Sequence, residues 1–276
     1  MRRVRMPKLL CLDFDDTLLC SDKTVSKENQ IVLRQVLEAG HYIAFTTGRP
    51  LRGAKKLFAK THLPKEHCYL LCYQGGFCYD LAEEHCLKST FMEKEALQRL
   101  LHTIQEMGLY FQAFYDDGFC CLMENEITKK YYAMGQEPYI VLQNAKEIDA
   151  YKIYKVMAID YENRAALERL RDAVADEQFP FDSFFSSPWF YEFCPKGQNK
   201  GAGITWLAKY LGIAMKDTIA VGDEENDVSM IEAAGIGVAM CNARKEIQAH
   251  ADFVTTRDHN HSGVAEVAKK FVLEVK

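Results

Sequence analysis

The sequence predicts an α/β fold: a doubly wound parallel-sheet (Rossmann-like) core with an inserted α+β domain. Three observations predict it. The first 80 or so residues alternate β-α-β-α-β, the pattern of an open parallel sheet. The same alternation returns after about residue 190. Between them, strand-like and helical segments follow a different order, as expected of one domain spliced into another. The expected division is 1–84 with 190–276 for the core and 85–189 for the insertion.

Leu9 to Leu12 is an unbroken apolar run ending in acid, as in a strand buried on both faces. Ser26 offers an N-cap to a helix with apolar positions Ile31, Val32, Val36 and Leu37, stopped by Gly40. His41 to Thr46 reads as a second strand, and Gly48-Arg49-Pro50 opens a helix with Pro50 near its first position. Tyr69 to Tyr73 is a third strand, closed by Gly75-Gly76. In the middle third, Leu109 to Phe114, Gly118 to Leu122, Ile153 to Ala158 and Phe184 to Tyr191 read as strands, with helices near 93–107 and 163–176. The aromatic residues of these segments are expected mainly as core. Asn199 to Leu211 is then a helix ended by Gly212, Thr218 to Gly222 a strand, Val228 to Ala234 a helix, and Ile236 to Met240 and Asp252 to Thr255 strands.

Length and composition bound the function. A chain of 276 residues, 48% hydrophobic and 26% charged, can bury a substantial core. A net charge of -5 gives no global basic field for nucleic acid. No apolar run reaches the roughly 18 residues of a membrane span. The basic, briefly apolar start is cut at Asp13 and followed by no small-residue cleavage site, so it reads as a leader into the first strand rather than a signal peptide. None of the ten cysteines forms a Cys-x-x-Cys pair, and most lie in apolar segments. Buried free thiols in a reducing cytoplasm are expected.

Four short elements carry candidate chemistry, each at the carboxyl end of an expected parallel strand, where open α/β sheets bind ligands. In Asp13-Phe-Asp15-Asp16-Thr17, an extended chain would point the carboxylates of Asp13 and Asp15 to one side. Such a pair repels without a cation, and magnesium prefers hard oxygen ligands. One carboxylate could then attack phosphorus while the other moves protons. In Thr46-Thr47-Gly48-Arg49-Pro50, a hydroxyl and free N–H groups at a helix start make an anion site. Lys196-Gly-Gln-Asn-Lys200-Gly201 brings a lysine to a helix mouth, where it could neutralise a phosphate and crowded acids. In Gly222-Asp223-Glu-Glu-Asn226-Asp227, Asp223 and Asp227 lie four apart and could face one ion. Each element alone has an ordinary reading as a capped turn or solvated loop. Their joint order carries the argument. His259-Asn260-His261 has no second ligand cluster and reads as a loop near the site mouth.

Taken together, these motifs resemble the haloacid dehalogenase-like hydrolase superfamily, and within it the Cof-type phosphatases with a large α/β cap. Gly235, Val238-Ala-Met240, Asn242-Ala243 and Gly263-Val264 also resemble the family's C-terminal pattern. The resemblance implies Asp13 as nucleophile and Asp15 as general acid/base. It implies Thr47, Gly48, Lys200 and the neighbouring Asn226 as phosphate contacts. Mg2+ would be held by Asp13, the backbone carbonyl of Asp15, Asp223 and Asp227. Asp16 stands where the family usually has glycine, and Gln74 where it usually has asparagine. Lys196 rivals Lys200, which sits better before its helix.

The expected activity is magnesium-dependent hydrolysis of a small phosphate ester (a sugar or cofactor phosphate) through an aspartyl-phosphate, with a small phosphorylated metabolite as partner and neither nucleic acid nor membrane. A phosphotransferase or sugar-phosphate mutase would keep the chemistry and change the acceptor. A phospho-accepting sensor domain is a further alternative, which the inserted domain and Asp15 oppose.

Overall fold

The computed structural model describes residues 6–116, 118–175 and 179–274. The basic leader before residue 6 and the expected helix end at 176 lie outside the described residues. In chain order the elements begin with β1 (Leu9–Asp13), α1 (Lys27–Glu38), β2 (Tyr42–Thr46), α2 (Leu51–Ala59), β3 (Cys68–Cys72), β4 (Phe77–Asp80) and β5 (His85–Ser89). They continue with α3 (Lys94–Glu106), β6 (Tyr110–Tyr115), β7 (Gly118–Cys121), α4 (Glu126–Gly135), β8 (Tyr139–Val141), β9 (Lys155–Ile159), α5 (Arg164–Ala175), β10 (Phe181–Ser187) and β11 (Phe190–Pro195). The last are α6 (Lys200–Tyr210), β12 (Thr218–Gly222), α7 (Val228–Ala233), β13 (Ile236–Ala239), α8 (Lys245–Gln248), β14 (Phe253–Val254) and α9 (Gly263–Val267). Among the described residues, no helix is long and apolar enough to cross a membrane.

The chain divides into two compact units. One comprises Met1–Arg49, Ala54–Ser89 and Asn199–Lys276, the other Pro50–Gly53 and Thr90–Gln198. The first unit holds an eight-stranded sheet in the order β14-β13-β12-β1-β2-β3-β4-β5. Its strands from β14 to β3 are parallel, and β4 and β5 add antiparallel to the β3 edge. Every residue of β1, β3 and β12 is buried, which is why these segments are apolar without alternation. The chain runs from β1 outward through β2 and β3, and later through β12, β13 and β14 on the other side. The order therefore reverses between β1 and β12, and a crevice opens there at the carboxyl ends. Ser26 caps α1 by accepting the Asn29 N–H, and Gly40 takes φ 83° beyond its end. The buried face of α1 is Val32, Leu33 and Val36, while Ile31, expected inward, is 56% exposed.

The second unit is built on a six-stranded sheet, β10-β11-β9-β6-β7-β8. Leu97, Leu100, Leu101 and Ile104 of α3 and Leu167, Leu170 and Val174 of α5 share one apolar core with Phe111, Val156, Ala158, Tyr191 and Phe193 of its strands. Phe184 to Tyr191, expected as one strand, is two. β10 ends at Ser187 and β11 begins at Phe190, because Pro188 has no N–H to continue a ladder. His85–Ser89, expected in the insertion, extends the first sheet by pairing with β4. All ten cysteines are free thiols.

Lys155 and Glu192 form an ion pair at 2.8 Å in this unit, with side chains 4% and 5% exposed. Ser186 donates to the other Glu192 oxygen, and Lys155 sits over the Phe114 ring. Lys155→Met leaves Glu192 buried and uncompensated, so it should destabilise the protein by about 3–5 kcal/mol in urea denaturation. Adding Glu192→Leu to it should recover most of that loss.

Candidate active site

Parallel pairing of β1 with β12, with Leu12 opposite Val221, sets the residues that follow these strands side by side. Asp13 ends β1 and Asp223 follows β12. The turn after β12 folds Asp227 back over Gly222, where a Cβ would fall 2.4 Å from that of Asp227. Glycine is needed there for Asp227 to approach. Asp227 Oδ2 accepts the N–H of Asp223 at 2.9 Å and of Glu224 at 3.1 Å. The carboxylates of Asp13, Asp223 and Asp227 offer oxygens within 4.8 Å of one another, and all three residues are buried.

Lys200 opens α6 behind its N-cap, Asn199. The helix start approaches α7 so closely that a Cβ on Gly201 would meet the Ser229 carbonyl oxygen at 2.2 Å. Lys200, 1% exposed, donates to Asp13 Oδ1 at 2.6 Å and to Asp227 Oδ1. Burial opposes its charge, but Asp13 and Asp227 outweigh burial and hold its pKa above the ordinary value. Lys196, by contrast, is exposed and lies in the other unit.

One ammonium does not balance three carboxylates. Burial first, with Asp227, Asp223 and Asp15 adding repulsion against the pull of Lys200, pushes the Asp13 pKa well above the carboxylate range. Burial and the Asp227 charge push Asp223 up to about 7, although Thr17 donates to its Oδ1 at 2.6 Å. Crowded hard oxygen donors with excess negative charge fit a divalent cation of the magnesium or calcium type.

Asp15 is placed differently from the extended-chain expectation. The backbone turns at Asp16, with φ 55°, and the Asp15 carboxylate engages Arg49 and Lys23 rather than joining the three acids. Arg49 donates to it through Nε at 2.9 Å and a terminal nitrogen at 3.0 Å, and Lys23 Nζ at 3.1 Å. Burial would raise its pKa, but Arg49 and then Lys23 lower it below the ordinary value.

Thr47, 3% exposed, accepts the Arg49 N–H on its hydroxyl at 3.1 Å and donates its own N–H to Leu71. Gly48 lies under the amide of Gln74, which accepts a hydrogen bond from Asn226 Nδ2 at 3.3 Å. His259 to His261 form a short turn tied to the loop after Thr17. Ser21 donates its N–H to Asn260, its hydroxyl lies 3.0 Å from His259 Nε2, and Cys20 reaches the His259 carbonyl. Thr17 and Lys23 have no role in the sequence reading, and Gln74 stands out there only as a departure from the family's asparagine. Their partners lie 206, 8 and 152 residues away.

A family profile described as haloacid dehalogenase-like hydrolase matches residues 10–267. A Streptococcus pyogenes protein with a provisional phosphatase name is 30% identical, aligned over 96% of this chain and 98% of its own. A Bacillus subtilis protein named as a 5-amino-6-(5-phospho-D-ribitylamino)uracil phosphatase is 26% identical, over 96% of this chain and 97% of its own. The fold of a haloacid dehalogenase-like hydrolase from Bacteroides thetaiotaomicron superposes with a TM-score of 0.85 at 24% identity, over 96% of this chain and 99% of that one.

The raised Asp223 pKa fixes the sign of a pH effect. Between the ordinary 3.8 and about 7, the folded protein holds a proton that the unfolded chain releases. Stability of the cation-free protein should therefore be greatest below that window and fall as pH rises through it, with Asp223 contributing a slope approaching about 1.4 kcal/mol per pH unit and Asp13, also raised, adding to it. Denaturation with a chelator across the window measures the slope. Asp223→Asn should remove its share of the slope and leave that of Asp13. A flat profile for the chelated wild type would count against the crowding.

Proposed function

The chain belongs to the haloacid dehalogenase-like hydrolases, and on that premise we propose that it is a magnesium-dependent phosphatase of small phosphate esters that works through an aspartyl-phosphate on Asp13. The observation that carries this reading is the convergence of Asp13, Asp223, Asp227 and Lys200 at the switch point of the first sheet. The kind of substrate named for the Bacillus subtilis relative, a phosphorylated metabolite, supports the substrate class.

Asp13, Asp223 and Asp227, with the Asp15 carbonyl, would hold the magnesium ion, which when bound screens the negative charge of the phosphoryl group. Lys200 remains protonated between Asp13 and Asp227 and supplies a second positive charge. It holds Asp13 Oδ1, leaving the other carboxylate oxygen as the attacking atom. Thr47 and the Gly48 N–H receive phosphoryl oxygens at the end of β2. Asp13 forms the new O–P bond as the ester O–P bond breaks, and the leaving oxygen takes a proton from Asp15. Water then attacks phosphorus, gives a proton to Asp15 and releases Asp13.

The geometry bears unequally on the two halves of this cycle. Arg49 and Lys23 hold Asp15 as the anion, the form that takes a proton from water. The first half requires the protonated acid, so these two cations must loosen their hold before Asp15 protonates a leaving group. Positioning and charge stabilisation carry most phosphoryl transfer, and the acid/base step adds roughly 10²–10⁴-fold.

A panel of phosphate esters, with and without magnesium and with water as the only acceptor, tests the proposal. Wild-type protein should release inorganic phosphate from some of them, and only with the cation. Asp13→Asn should lose turnover by several orders of magnitude while keeping its melting temperature. Wild-type rates in a clean Asp13→Asn preparation would exclude Asp13 as the nucleophile.

A further inference from the structure

Gln74 occupies a place that the chemistry above does not use. Tyr73, Gln74 and Gly75 take φ values of 49°, 57° and 83° in succession. Two non-glycine residues in the left-handed region are unfavourable and persist only where the surroundings dictate them. Here the turn is pinned from two sides. The Gln74 N–H donates to the Thr47 carbonyl at 3.1 Å and the Tyr73 N–H to that of Arg49 at 3.3 Å. On the other side, a Cβ on Gly75 would meet the Asn199 carbonyl oxygen at 2.6 Å.

This backbone aims the Gln74 side chain at the β2 loop. Its Oε1 accepts a hydrogen bond from Asn226 Nδ2 at 3.3 Å, and in this orientation Nε2 faces Gly48. A Cβ on Gly48 would lie 2.6 Å from Nε2, so glycine at 48 is what admits the amide. Gln74 is 2% exposed, and its Nε2 has no acceptor among the described residues. Nε2 is therefore an unengaged donor beside Gly48, and an anion in this loop would give it an acceptor. We infer that the Gln74 amide donates a hydrogen bond to a phosphoryl oxygen of the substrate beside Thr47 and Gly48, with Asn226 as the positioning residue that orients it. This rests on the proposed reading of Thr47 and Gly48 as the phosphate site.

The test is calorimetric titration of inorganic phosphate into the full-length, magnesium-loaded protein, alongside kcat and KM for para-nitrophenyl phosphate. Gln74→Glu replaces the N–H group with an anionic oxygen of the same shape. It should weaken phosphate binding roughly tenfold to a hundredfold and leave magnesium affinity unchanged, which a general loosening of the site would not do. Asn226→Ala keeps the donor and frees it, and should weaken phosphate binding by a smaller factor. Phosphate affinity within twofold of wild type in a folded Gln74→Glu protein overturns the inference, even if wild-type phosphatase activity is present. Should Gln74→Glu not fold, Gln74→Ala decides: weakened binding supports the role and unchanged binding overturns it. A wild-type protein that neither binds phosphate nor hydrolyses any ester overturns this inference together with the phosphatase reading.

Discussion

The carboxyl edge of the first sheet depends on one buried ammonium group. Asp13, Asp223 and Asp227 are drawn out of water into a space where each ionised carboxylate costs several kcal/mol unless compensated. Lys200 compensates two of them directly, from a helix whose first turn can come close enough only because residue 201 is glycine. Asp227 in turn ties down the backbone after β12 by accepting two N–H groups. The lysine is therefore both counter-charge and scaffold. The negative charge it leaves unbalanced is what makes the cluster a place for a divalent cation.

Much of this was legible in the sequence, for a definite reason. A strand buried on both faces needs an unbroken apolar run, so β1, β2, β3, β12 and β13 announce themselves, and so do the polar residues that follow them. Helix caps are local chemistry: Ser26 accepts the hydrogen bond expected of it, and Asn199, expected as the first helical residue, caps α6 instead. What stayed hidden depends on distant partners or weak patterns. β5 is a largely exposed edge strand with little burial to mark it. The break between β10 and β11 was written in Pro188 but masked by the aromatic residues on either side. No local feature of Arg49 foretells that it grips Asp15 from 34 residues away. Nor does any foretell that Gln74 adopts a left-handed backbone and reaches between two loops.

The loops at this edge are joined to one another. The β2 loop is bonded to the turn after β3 through Thr47 and Arg49, that turn to Asn226, and the turn at Asp16 to Asn242 through the Asp16 carbonyl. The His259 turn closes the circuit by holding Ser21 and Cys20. The charged groups of this edge thus gain rigidity from backbone and amide contacts. This is the kind of support that keeps a reactive geometry within a few tenths of an ångström.

The order of strands carries a consequence for how the molecule is made. β1 lies in the middle of its sheet, flanked by β2, which emerges soon after it, and by β12, which begins at Thr218. A ribosome finishes most of the polypeptide before that second neighbour exists. Until then, one hydrogen-bonding edge of β1 is bare, and Asp13 waits for a counter-ion 187 positions downstream. Pairings of such long separation are slow to close and expose aggregation-prone edges meanwhile. Nascent chains that end before β12 thus carry this bare edge.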